Sequence, residues 1–142
     1  MRAKVFFIIL AVADLDRSVA FYRDGLGWPT DGIVGREFHD DITGADGTIA
    51  FFNLESDLLL GLYERANLAK DASLPPGPPS STEFSLGIPA GSRDEVDDLL
   101  AKAGAAGATL PAPAHMRPFG VYSGHFADPD GHLFEIVWDS NR

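Results

Sequence analysis

The 142 residues contain no cysteine, which removes disulfides, thiolate metal sites and thiol nucleophiles together. Basic side chains are scarce: eleven Lys and Arg stand against twenty-one Asp and Glu, a formal net charge of −10. The eleven are scattered, whereas a phosphate-binding surface needs them clustered, so nucleic acid is not an expected partner. Long apolar runs are missing too, since none approaches the roughly 18 residues needed to cross a bilayer. Val5 to Ala13, preceded by Arg2 and Lys4, has the outline of a signal peptide. A leader cleaved there would be shorter than the usual length of about 15–30 residues, so a strand is expected; the cytoplasmic location expected here rests on the absence of cysteine. None of the four histidines pairs with another at the i, i+4 helical spacing of a metalloprotease.

What is present is apolar and repetitive. Hydrophobic residues make up 45% of the chain, enough to bury the core of one domain or of two small fused modules. The stretch Ser123 to Asp139, SGHFADPDGHLFEIVWD, turns at Asp128-Pro129-Asp130-Gly131 and closes on the alternating run Leu133 to Trp138. Proline presets φ in such a turn and glycine tolerates φ above zero. A weaker copy lies at Ala50 to Glu64, AFFNLESDLLLGLYE, where Glu55-Ser56-Asp57 replaces the proline turn. Phe52 then matches Phe126, Leu59 to Tyr63 match Leu133 to Val137, and Gly61 falls opposite Glu135.

The elements before each hairpin repeat as well. Val5 to Val12 reads as a strand buried on both faces or nearly so. Asp14 caps a helix running to about Leu26, with Leu15, Val19, Tyr22 and Leu26 in one apolar stripe. An edge strand is expected near Arg36 to Asp40, followed by a hairpin of Thr48 to Leu54 and Leu58 to Glu64. Four prolines between Leu74 and Ser81 make a stiff connector. In the second half Glu83 to Ile88 is a strand, and Ser92 caps a helix to about Ala103 with Glu95 completing a capping box. Val96, Leu99, Leu100 and Ala103 form its stripe. His115 to Phe126 supplies strand residues broken by Pro118 and Gly120, and Leu133 to Trp138 is the last strand.

Aligning Phe7–Val12 with Glu83–Ile88 pairs Phe7 with Glu83. Strand alternation puts Phe84, Leu86 and Ile88, and likewise Phe134, Ile136 and Trp138, under a helix. Glu83 and Glu135 then share the other face, where the first copy has Phe7, Ile9, Leu59, Gly61 and Tyr63.

The strand–helix–three-strand unit occurring twice, with DLDRSVAFYRDGLGW after the first strand and FADPDGHLFEIVW near the end, resembles the vicinal oxygen chelate superfamily. Glyoxalase I, extradiol dioxygenases and the fosfomycin- and bleomycin-resistance proteins belong to it. The resemblance implies an α+β fold of two βαβββ modules with pseudo-twofold symmetry, whose curved mixed sheets enclose a cleft. The modules are expected at 1–70 and 83–142, with a linker over 71–82. Metal-using members carry one His, Glu or Gln ligand on the first and last strand of each module. The corresponding positions are Phe7, Gly61, Glu83 and Glu135, so half the donors are absent. Two carboxylates alone would suit a hard divalent cation with several waters.

The resemblance therefore implies a small-molecule-binding protein without the family's metal, taking an aromatic or cationic ligand in its cleft. The alternative is a lyase, isomerase or dioxygenase that uses Glu135 as base, or a divalent metal held by Glu83 and Glu135. Glu135 is either that base or a carboxylate satisfied by Tyr or Ser hydroxyls, and Glu83 is either its neighbour or a charge at a strand start. Candidates to contact the ligand are Phe7, Trp28, Phe52, Tyr63, Met116, Tyr122 and His125. Tyr122 and His125 have opposite parity, so at most one of them faces the cleft. Met116 to Tyr122, with Phe119 at its centre, is expected to form a lid. A homodimer is expected, because open sheets leave edges and apolar faces to cover.

Overall fold

A computed structural model describes all 142 residues. The chain divides into two compact units, Met1–Pro78 and Pro79–Arg142, with the division inside the proline-rich stretch. In the first unit the elements are β1 (Phe7–Val12), α1 (Leu15–Val19, continued by a π-helical turn Ala20–Gly25), β2 (Thr30–Val34), β3 (Ile49–Asn53), β4 (Leu59–Glu64) and α2 (Arg65–Ala72). The second has β5 (Ser85–Pro89), α3 (Arg93–Ala105), β6 (His115–Arg117), β7 (Val121–Ala127) and β8 (Leu133–Asp139). The strand orders are β1-β4-β3-β2 and β5-β8-β7-β6. In both sheets the first strand pairs in parallel with the last, and the remaining pairs are antiparallel. The two βαβββ modules thus share one topology, and no helix is long and apolar enough to cross a membrane.

Each module buries one face of its sheet under its helix. Asp14 caps α1 by accepting from the Arg17 amide at 3.1 Å. The π turn adds a residue to the helical circuit and brings both Phe21 and Tyr22 into the core, while Leu26 stays half-buried. Beneath them lie Leu10, Val12, Ala50, Phe52, Leu60 and Leu62, all essentially inaccessible. In the second unit the Ser92 hydroxyl accepts from the Glu95 amide, and the Glu95 carboxylate accepts from Gly91 N–H, each at 3.0 Å. α3 lays Val96, Leu100 and Ala103 on Phe126, Phe134 and Ile136. Phe126 and Phe134 stack at 4.9 Å.

The two hairpin turns differ in chemistry. The Asp128 carboxylate accepts from the amides of Asp130 and His132 at 3.0 and 2.8 Å, and Gly131 takes φ 86°. In the first module Ser56 and Asp57 adopt φ 67° and 63° without a glycine to relieve them.

Four expectations are corrected here. β1 is an edge strand covered on one face only, so Phe7 is 48% exposed while Leu10 and Val12 are buried, and Val5 and Phe6 precede the strand in solvent. The edge strand of the first sheet is Thr30–Val34 rather than Arg36–Asp40. Gly35, at φ 80° with its Cβ direction blocked by the Gly47 carbonyl, turns the chain out of the sheet before Arg36. Only His39, bridged to Asp46, keeps any pairing in that segment. α2 reaches Ala72, into the stretch expected as linker. Finally, β5 begins at Ser85, which leaves Glu83 in an exposed bend ahead of the strand.

Candidate functional site

The ladder register defines which side chains share the face turned away from the helix. In the first sheet Phe7 pairs with Leu59 and Ile9 with Gly61. In the second, Ser85 pairs with Leu133 and Gly87 with Glu135. With Gly61 matched to Glu135, the counterpart of Phe7 is Ser85, two residues beyond Glu83. Glu83 stands four residues before Gly87, the partner of Glu135, a separation of about 13 Å along an extended chain. The expected Glu83–Glu135 pair therefore does not form.

Glu135 has other company. It faces His125 directly across β7–β8, and Ser123 lies diagonally beside it. The Ser123 hydroxyl donates to Glu135 Oε2 at 2.7 Å and accepts from Arg117 Nε at 2.9 Å. His125 Nε2 stands 3.9 Å from Glu135 Oε1, close enough for charge attraction but too far for a direct hydrogen bond. Ser123 is fully buried, while the Glu135 and His125 side chains keep 31% and 30% of their surface exposed. The result is a polar row, Arg117–Ser123–Glu135–His125, in which a buried hydroxyl fixes a carboxylate that solvent can still reach. Beside it a Cβ on Gly87 would meet nothing within 4 Å, so the space over Glu135's strand neighbour is open. A cavity of about 410 Å³ continues from Gly87 past Pro89 and Val137 to Asp139 and Arg142.

The first module has no such row. A Cβ on Gly61 would lie 2.4 Å from Ile9 Cδ1 and 2.9 Å from Phe51 Cε1, so apolar side chains already fill that position. The Phe7 and Phe51 rings pack edge to face at 6.4 Å. The family's four metal positions thus hold Phe7, Gly61, Ser85 and Glu135, of which only Glu135 is a strong donor. No three His, Asp or Glu side chains are grouped so that they could hold a metal ion. This donor set does not fit the chelated divalent ion of the resemblance.

The remaining candidates separate cleanly. Phe52 is fully buried on the helix side, 5.7 Å from the Tyr22 ring, and cannot touch a ligand without unfolding the core. Trp28 packs on the same Tyr22 at 5.5 Å. Tyr63 is on the face away from α1, but it is 8% exposed and its hydroxyl donates to the Asp46 carbonyl. Burial, followed by the charges of Asp71 and Asp46, pushes its phenol pKa up. Tyr122 takes the helix side, donating to Asp97 Oδ1 at 2.7 Å beneath the Arg93 guanidinium. The hydrogen bond to Asp97 is the main cause of its raised pKa. Met116 pairs with Tyr122 in the β6–β7 ladder and shares its face. His125, of opposite parity, is the one that joins Glu135. The expected lid is a hairpin: Met116 and Tyr122 belong to its strands, and only Pro118–Gly120, with Phe119 91% exposed at φ 69°, lies between them.

Sequence reasoning missed Ser123 and Arg117. Ser123 was legible, because counting back from the Asp-Pro-Asp-Gly turn places it on the face of His125 and Glu135. Arg117 was not, since its reach depends on the second turn at Pro118–Gly120.

No curated protein matches the sequence. Among solved structures, a glyoxalase-related enzyme from Fulvimarina pelagi superposes with TM-score 0.78 at 28% identity, over 97% of this chain and 89% of that one. A glyoxalase/bleomycin resistance protein/dioxygenase from Nocardioides gives 0.76 at 20%, over 100% and 87%. The fosfomycin resistance protein FosX from Listeria monocytogenes gives 0.67 at 22%, over 96% and 93%. The last two share the fold. The family model for the glyoxalase/bleomycin resistance protein/dioxygenase superfamily matches residues 4–136. With nearly the whole chain matched and the βαβββ module present twice, the protein belongs to that superfamily.

Proposed function

We propose that this member of the superfamily binds a small cationic or aromatic-cationic molecule on the open face of its second sheet, with Glu135 as the anchoring carboxylate and without a chelated metal. The observation that carries the reading is the state of Glu135. One oxygen is held by the buried Ser123 hydroxyl, yet a third of the side chain is exposed, beside the open space over Gly87. A carboxylate whose position is fixed in advance loses little further freedom when it meets a cation. Its counterpart at Gly61 is filled by Ile9 and Phe51, which argues against a four-ligand centre. A mutant of FosX with one Glu replaced by Gln has been crystallised with Mn(II) and a dihydroxypropylphosphonic acid; the present donor set supports no such site here. The exposed Val5, Phe6 and Phe7 support a homodimer, which light scattering distinguishes from the 15.2 kDa monomer.

Benzylamine, an aromatic cation, is the probe. Titrated into the isotope-labelled protein, it should shift the amides of β7 and β8 around Glu135. Glu135→Gln, which keeps an acceptor for Ser123, should weaken binding about tenfold, the loss of one charge-assisted contact. Equal binding by both forms would remove Glu135 from the site. Mn(II) bound at one equivalent and released by the same substitution would overturn the metal-free reading.

A further inference from the structure

We propose that Arg117 is a second recognition point in this site, an anion-binding one, and that the ligand class is a small zwitterion bearing a carboxylate as well as a cationic end. This rests on the reading that Glu135 holds a cation. A guanidinium only donates, so the Ser123 oxygen must accept from Arg117 Nε, and its single proton is left for Glu135 Oε2. The contact uses Nε alone. Nη1 and Nη2 pair with no residue of the chain, and Arg117 is half-buried rather than free in solvent.

Although acids outnumber cations twenty-one to eleven, none pairs directly with Arg117. The nearest acids on the same face are otherwise engaged. Glu135 reaches Arg117 only through Ser123, and Asp139, which shares its register row through Val121, accepts from Asn141 and pairs with Arg142. His115, opposite Ser123, bears no acid to compete. With Nε spent, the two terminal nitrogens still form an end-on fork matched to a carboxylate. The Ser123 bridge makes the two ends adjacent: Arg117 Nε and Glu135 Oε2 are separated by hydrogen bonds of 2.9 and 2.7 Å to one shared oxygen. A ligand that spans them carries its opposite charges only a few bonds apart, as a small amino acid does.

Three size-matched probes test this: propionate for the anion alone, ethylamine for the cation alone, and β-alanine for both. Binding is read from amide shifts and from the Arg117 Nε–H resonance. β-Alanine should bind at least tenfold more tightly than either fragment, and both carboxylates should move the Arg117 signal. Arg117→Gln should weaken propionate and β-alanine about tenfold, while ethylamine, relieved of a nearby positive charge, should bind no more weakly than before. Should that variant unfold, Arg117→Lys keeps the charge without the fork and should weaken propionate several-fold. Ethylamine binding with an unmoved Arg117 signal in propionate would overturn this inference and leave the Glu135 reading intact. Propionate binding with no response to ethylamine would keep Arg117 as an anion site but remove the zwitterion and the Glu135 reading together. No response to any probe would overturn both.

Discussion

The two modules share a topology and a way of packing but differ on the face turned away from the helix. Under α1 and under α3 the same kinds of side chain do the same work, with Phe52 answering to Phe126 and Leu60 and Leu62 to Phe134 and Ile136. On the open faces, Phe7, Ile9 and Phe51 fill the first module up to Gly61, while the second carries Arg117, Ser123, Glu135 and His125. The difference separates two constraints on one architecture. Helix-side positions are fixed by the area they remove from water, and they keep their chemistry in both copies. Open-face positions are not needed for that core, so one copy can become apolar while the other holds a polar row.

The largest effects should strike both modules alike. Phe52→Ala and Phe134→Ala each remove a fully buried ring, and each should cost about 3–5 kcal/mol in urea unfolding. If only one of them destabilises, the modules do not share their core logic. Next comes a transplant of the difference itself. Gly61→Glu puts the second module's carboxylate where Ile9 and Phe51 already sit, and should cost about 1–3 kcal/mol from overpacking alone. Gly87→Ala, with nothing in the way, should instead gain up to about 1 kcal/mol. A tolerated Gly61→Glu with an unchanged core would show that the first open face is looser than its packing implies.

The turns give a smaller contrast. Ser56→Gly relieves a left-handed residue and should stabilise by up to about 1 kcal/mol, whereas Gly131→Ala should destabilise by about 1–2 kcal/mol. Urea midpoints read both. The smallest effect concerns the tyrosines. Both phenols have raised pKa values, Tyr63 chiefly through burial and Tyr122 chiefly through its hydrogen bond to Asp97. A raised pKa means the folded state holds the proton more tightly, so this stabilisation is complete below the unfolded value of about 10. It is lost as pH rises through the folded values. Asp97→Asn should bring the Tyr122 titration, followed by phenolate absorbance, back toward its ordinary value and leave that of Tyr63 in place. Equal movement of both would mean that burial governs Tyr122 too.

The sequence by itself determined the repeated module, because period-2 and helical patterns, the Asp14 and Ser92 caps and the Asp-Pro-Asp-Gly turn are all local signals. It also determined that Glu135 lies away from the helix, since Leu133 to Trp138 alternates and Phe134 and Ile136 must be buried. It did not determine the register of β5 against β8, because a two-residue slip preserves every inside–outside assignment. That slip separates Glu83 from Glu135. Nor did it determine the fate of Phe52, Trp28 and Tyr122, aromatic residues that suit a pocket wall and a core equally well by composition. Tertiary structure decided these by which face the helix covered. It also gave Glu135 its partners, for Ser123 and Arg117 reach it only after two antiparallel turns bring separate strands side by side.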